Sequence, residues 1–132
     1  METNFNFKSS VCTSLVQSEL LLALGLKKET ADMRLIVNDF GDVLVARPLD
    51  YVYSHQPEHI PAWSLHRLIE MMPEEMYGGL LCIFKDSIRY EELIMDRPEA
   101  HFEAVGDNMY ENAISCIEWL IKEGYFNKEY LV

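Results

Sequence analysis

Apolar positions along the chain recur at two spacings, and each spacing predicts a different kind of element. In TSLVQSELLLALGL (residues 13–26), Val16, Leu20, Ala23 and Leu24 share one helical face, and Leu15 and Leu22 broaden it, which predicts a well-covered helix. Ser14 is placed to cap it, Gln17 to close a capping box, and Gly25 to turn left-handed so that Leu26 folds back on Leu21. MRLIV (33–37) and VLVAR (43–47) flank NDFGD, an Asn/Asp/Gly turn between β-branched runs, and predict an antiparallel hairpin that Pro48 ends. LDYVYSHQPEHI (49–60) is the least periodic segment and reads as a surface loop with an aromatic anchor.

IPAWSLHRLIEMMP (60–73) predicts a short helix with its own start and stop. With Ser64 as N-cap, Trp63 and Leu68 occupy the two positions of a hydrophobic staple. Leu65, Leu68, Ile69 and Met72 line one side, and Pro73 prevents continuation. So short a helix needs tertiary packing to persist, which makes core formation its purpose. GGLLCIF (78–84) and SIRYEELI (87–94) enclose the turn KDS (85–87) and predict a second hairpin. Ile88, Tyr90 and Ile94 share a strand face there that Glu92 interrupts. NMYENAISCIEWLIKEGYF (108–126) predicts the longest helix, with Asn108 and Glu111 as a capping box. Its stripe is Tyr110, Ile114, Ile117, Leu120 and Ile121, and Gly124 provides its exit.

The order is therefore helix, hairpin, helix, hairpin, helix. It predicts an α+β fold: a single compact domain over residues 13–132, with an antiparallel sheet from two hairpins packed against three helices. Residues 1–12 form an arm or, through alternating Phe5 and Phe7, a short edge strand. The two helix-then-hairpin halves share little beyond a glycine exit, so common capping physics explains the similarity better than duplication.

Size and composition agree with one folded domain. The chain has 132 residues, 49% of them apolar, with seven tyrosines, six phenylalanines and two tryptophans, enough material to offset backbone entropy. Charge changes the picture more. The formal net charge is -11, and the excess sits in the second half: eight acids and five bases in residues 1–66, fourteen and six in 67–132. Such a surface repels phosphate backbones, and Lys27-Lys28 is the sole basic pair, so direct nucleic-acid binding is not expected. The residues 1–10 lack the basic-then-apolar order of a signal peptide, and no apolar run approaches a membrane span. Three cysteines without metal spacing, Cys12, Cys82 and Cys116, fit a reducing cytoplasm, with Cys82 and Cys116 read as small buried hydrophobes.

Candidate chemistry is sparse. His55 and His59 are four apart, a metal-ligand spacing on a helix, but Gln56-Pro57-Glu58 between them breaks a helix, and no metal is expected. His66 falls on the exposed side of the central helix. His101, Glu103 and Asp107 lie near one another and sketch a His–carboxylate pair without an assigned nucleophile. Cys12 precedes a helix start, where a dipole lowers a thiol pKa, yet it lies before the cap and has no histidine partner. Gly78-Gly79 begins no phosphate loop, so no cofactor is expected. The acids Glu74-Glu75, Glu91-Glu92 and Glu99/Glu103 show no sign of the differing environments that acid/base pairs need. Tyr51, Tyr53, His55 and His59, followed by Trp63, gather aromatics and imidazoles in one segment and form a candidate interaction surface. The competing reading is that Tyr51, Tyr53 and Trp63 cover the core.

Four patches together resemble a family of small uncharacterised proteins from gut Bacteroides-type bacteria and their phages or mobile elements. They are Cys12 to Leu26 (CTSLVQSELLLALGL), Thr30 to Met33 (TADM), Pro61 to Leu65 (PAWSL) and Trp119 to Tyr125 (WLIKEGY). The stretch from Asp50 to His59 departs most from that outline. The resemblance brings no activity, cofactor or site residue with it; it implies a cytoplasmic accessory protein of bacterial or phage origin. The leading expectation is accordingly a small protein-interaction or structural module, its partner another protein or a second copy in a homodimer, with no membrane involved. The alternatives are a small hydrolase using a thiol or a His–carboxylate site, and an acidic regulator that imitates nucleic acid.

Overall fold

The structure, a computed structural model, describes residues 5, 7, 9–40 and 59–132, and the backbone alone of 43–48. Helix α1 (Leu15–Ala23) starts at Ser14, whose hydroxyl accepts from the Gln17 amide at 3.2 Å. Gln17 Oε1 accepts in return from the Ser14 amide at 2.9 Å. It ends at Gly25, φ +103°, with the Leu26 amide donating to Leu21 O at 3.2 Å and the Gly25 amide to Leu22 O at 3.0 Å, the paired bonds of a Schellman exit.

The buried face of α1 differs from the expected one. Ser18 and Leu21 point inward, whereas Val16 is 73% and Leu20 42% exposed. Polar satisfaction explains the rotation. The Ser18 and Thr13 hydroxyls meet at 2.7 Å, and Thr13 exchanges bonds with Trp63: its amide donates to Trp63 O at 2.9 Å, and its hydroxyl accepts from the Trp63 amide at 3.1 Å. A serine paired in this way costs little to bury.

Strand β1 (Met33–Val37) pairs with β2 (Val43–Pro48), giving the expected first hairpin, and on its other side with β3 (His59–Ala62). The sheet order is β2-β1-β3. β3 corrects the loop reading at its last two positions, where His59 and Ile60 pair with Ile36 and Leu35; residues 49–58 lie outside the described residues. Pro61 biases Ile60 towards extended backbone, and its missing N–H is tolerated on an edge strand.

α2 (Leu65–Glu70) follows with Ser64 as N-cap, its hydroxyl accepting from the Arg67 amide at 3.1 Å. Trp63 and Leu68, the two staple positions, are both wholly buried. Leu65 and Ile69 are half-buried, Met72 is buried, and the helix stops before Pro73.

The second sheet is a four-stranded meander of β4 (Glu75–Met76), β5 (Gly79–Phe84), β6 (Ser87–Ile94) and β7 (Arg97–Val105), in that order. The expected hairpin is β5–β6. β7 was not anticipated, since only Phe102, Ala104 and no other of its side chains are even half-buried, too few to stand out as an alternation. A bulge explains part of this: Tyr90 opposes Phe102 and Glu91 opposes Ala100, leaving His101 as the extra residue.

α3 (Met109–Glu123) lies across β6 and β7 and meets α1 and α2 on its other side. Ile114, Ile117 and Leu120 are buried as expected, and Tyr110 and Ile121 half-buried. Asn112 also turns inward, where its side-chain amide donates to Gly106 O at 2.9 Å. Asn108 caps the helix, but Glu111 does not close the box; it accepts instead from Gln17 Nε2 at 2.6 Å, tying α3 to α1. Gly124 (φ +81°) provides the exit, and the Tyr125 amide donates to Leu120 O at 2.8 Å.

The main core gathers Trp63, Leu68, Ile88, Tyr90, Ile117 and Leu120, with Trp119 stacked on Phe102 at 5.1 Å between ring centroids. The fold is thus α+β, a single domain of three helices against antiparallel sheets. The two hairpins belong to separate sheets rather than one.

Candidate functional site

β5 reads GLLCIF, apolar apart from its glycine. Its pleat sends Leu81 and Ile83 to the face on which α3 lies over β6 and β7, where they oppose the buried Tyr90 and Ile88, and sends Leu80, Cys82 and Phe84 to the opposite face. Leu81 packs on the core, and Ile83, at the edge of that cover, stays 43% exposed. Among the described residues no helix packs on the opposite face. Leu80 is 52% and Phe84 46% exposed, with Val105 and Leu93 more so. Cys82, expected as a small buried hydrophobe, is half-buried at the centre of this face, because no described element packs over it from outside the sheet.

The neighbouring strands add charge to the same face. Glu91 opposes Leu80, Arg89 opposes Cys82, and Glu103 opposes Arg89 from β7. The Arg89 guanidinium carbon sits 4.6 Å from the centroid of the Phe84 ring, a cation–π contact. Its Nη1 donates to Glu91 at 3.0 Å and its Nε lies 3.2 Å from Glu103. Glu75, exposed and opposite Leu80 on β4, adds a further acid. A depression of about 540 Å³ opens between Gly78, Leu80, Cys82, Glu91, Glu92 and Leu93. The arrangement is suited to adhesion: an apolar strip with an acidic margin and one arginine laid across it.

The other sequence-predicted residues fall elsewhere. His101 does pair with a carboxylate, but with Glu92 (Nε2 to Oε2 2.8 Å) rather than Glu103 or Asp107. Gly78 and Gly79 make room for this pair, since a Cβ on Gly79 would meet His101 Cδ2 at 3.2 Å and one on Gly78 would meet Glu92 Oε1 at 3.0 Å. His59 is half-buried with Nδ1 3.0 Å from Arg34 Nη1, which makes that nitrogen the acceptor. His66 is exposed. Tyr51, Tyr53 and His55 lie outside the described residues.

Trp63 does not belong to a surface. It is wholly buried as the N-terminal half of the staple, and its Nε1 donates to Thr30 Oγ1 at 2.9 Å, so it covers the core and is withdrawn from any partner. Cys12 is 6% exposed, and burial first, then the Asp32 carboxylate, push its thiol up from its ordinary range, the reverse of what a nucleophile needs. Three segments far apart in the chain meet at this point: Thr13, Thr30 with Asp32, and Trp63 with Ser64 form one hydrogen-bonded junction.

Sequence reasoning missed the open sheet face, although a signal for it is present. A half-buried antiparallel strand alternates apolar and polar residues, whereas a continuous apolar run belongs to a strand covered on both sides. GLLCIF is such a run.

Among the described residues no group of three His, Cys, Asp or Glu is placed to hold a metal ion. No described helix is long and apolar enough to cross a membrane. No family model, curated protein or solved structure matches the chain.

Proposed function

We propose that the chain is a protein-interaction module that docks through the open face of its β4–β7 sheet. One observation carries this reading: β5 has the apolar content of a strand covered on both sides, whereas α3 lies over β6 and β7 on one face of the sheet and no described element lies on the other. Leu80 and Phe84 are therefore apolar surface that the described residues leave open. A cytoplasmic accessory role in a bacterium or its phage, implied by the resemblance of the four sequence patches, fits such a module. The thiol form of the hydrolase alternative loses support from the buried, raised Cys12, and the imidazole of the His–carboxylate form is engaged by Glu92.

The test uses Leu80→Asn with Phe84→Asn. Both side chains are about half exposed, so the double variant keeps its circular dichroism and loses less than about 2 kcal/mol of stability to urea unfolding. A photo-crosslinker attached at Cys82 captures a discrete adduct in extract of the native host with the parent, and loses it with the variant. An adduct that survives both substitutions places docking elsewhere. A loss of about 2 kcal/mol or more shows that this face is part of the chain's own core.

A further inference from the structure

We infer that the occupant of this face is a cationic amphipathic helix of a partner protein, an inference that rests on the docking reading above. Charge complementarity sets the sign. On the face itself Arg89 is one base against Glu75, Glu91 and Glu103, and it is already engaged by the last two. The excess extends beyond the face, since residues 67–132 hold fourteen acids and six bases. A partner that covers Leu80 and Phe84 brings its own margin within reach of those carboxylates. A basic margin is attracted to them, and an acidic one is repelled and left desolvated. A second copy of the chain, itself at -11, carries the wrong sign.

The dimensions favour a helix. β5, β6 and β7 span roughly 10 Å at a strand spacing of about 4.8 Å, close to the diameter of one α-helix with its side chains. The opposite face of the same sheet already seats α3, so a helix on the open face completes a helix–sheet–helix sandwich. In that pose its apolar stripe covers Leu80, Cys82, Phe84 and Val105, and its lysines or arginines reach Glu75, Glu91 and Glu103.

Cys82 reports the event directly. Cys12 and Cys116 are buried, so Cys82 is the thiol that a water-soluble disulfide reagent reaches first. The probes are a synthetic amphipathic helical peptide of leucine and lysine and its leucine–glutamate counterpart. The lysine peptide is expected to slow Cys82 labelling about tenfold in low salt, the glutamate peptide to leave it unchanged, and added salt to reverse the protection. Glu75→Gln with Glu103→Gln weakens the protection, whereas Glu118→Gln with Glu123→Gln, equal in charge and placed on α3, does not. Equal protection by both peptides overturns the cationic assignment and leaves the docking face intact. Slowing that appears with protein concentration alone, in the absence of peptide, also overturns it, in favour of a second copy. Labelling unaffected by either peptide, together with a host adduct that survives Leu80→Asn/Phe84→Asn, removes both the occupant and the face.

Discussion

Ser64 donates its hydroxyl to Oδ2 of Asp32 at 2.5 Å and its amide to Oδ1 of the same carboxylate at 2.8 Å. The residue ahead of β1 thereby fixes the first turn of α2. Ser64 Oγ also accepts from the Arg67 amide, and Arg67 Nη1 reaches back to Thr30 O at 2.8 Å, so cap and carboxylate act as one unit. Asp32→Ala should cost about 1–3 kcal/mol, by stripping two donors of their acceptor, and Ser64→Ala about 1 kcal/mol as a lost cap. The double variant should cost clearly less than the sum, because each substitution removes the other's partner. Urea unfolding of the four proteins measures the coupling; additivity within about 0.3 kcal/mol would show two independent contacts.

The staple on the same helix makes a second prediction. Trp63 and Leu68 are both wholly buried and belong to one core with Ile117 and Leu120. Leu68→Ala should lower stability by about 2–5 kcal/mol, while Leu68→Met, similar in volume, should cost less than about 1.5 kcal/mol. Thermal unfolding of both variants decides it. A small cost for alanine would mean that α2 is held by its cap and not by burial.

How much of this was legible beforehand depends on whether the cause was local. Capping at Ser14, Ser64 and Asn108 and the glycine exits at Gly25 and Gly124 depend on residues within a turn of one another, and all five are present. The rotation of α1 was not legible, because the partner that makes Ser18 buriable, Thr13, is itself fixed by Trp63 fifty positions away. β3 and β7 escaped for a related reason. Each has few apolar side chains and takes its order from a neighbour, β1 in one case and β6 in the other. The candidate site fared worst: the Tyr/His segment drew the eye through residue type, and its one fully placed aromatic, Trp63, faces inward. β5 showed its excess of apolar residues openly, but periodicity alone treats a strand as having one inner face.

Stability should fall on the alkaline side. Burial pushes the Cys116 thiol up to about 12 from an ordinary 9.0, and burial followed by the neighbouring Cys116 raises Tyr90 as well. A raised value means that the fold favours the neutral thiol. The stabilisation is therefore complete below pH 9.0, where the unfolded thiol is also neutral, and is lost as pH climbs from there towards about 12. The limiting slope for one such group is about 1.4 kcal/mol per pH unit. Urea midpoints at about pH 8 and about pH 10.5 should differ in the parent and differ less in Cys116→Ala. An equal fall in both proteins would assign the alkaline loss to other groups.

The β6–β7 hairpin turns through two non-glycine residues in left-handed backbone, Met95 (φ 52°) and Asp96 (φ 63°). A two-residue turn of this hand matches the twist of its strands but favours Asn-Gly, since a side chain beyond Cβ gains nothing there and loses rotamer freedom. Met95 is 92% exposed, so no packing compensates the cost. Replacing Met95→Asn and Asp96→Gly together should stabilise the chain by about 1 kcal/mol and raise its melting temperature. The turn lies beyond the Leu80–Phe84 strip, so the same variant should leave Cys82 labelling and its protection by the lysine peptide unchanged. A melting temperature that falls would show that the native pair makes contacts which outweigh the backbone strain. Altered protection with unchanged stability would extend the docking surface to the hairpin tip.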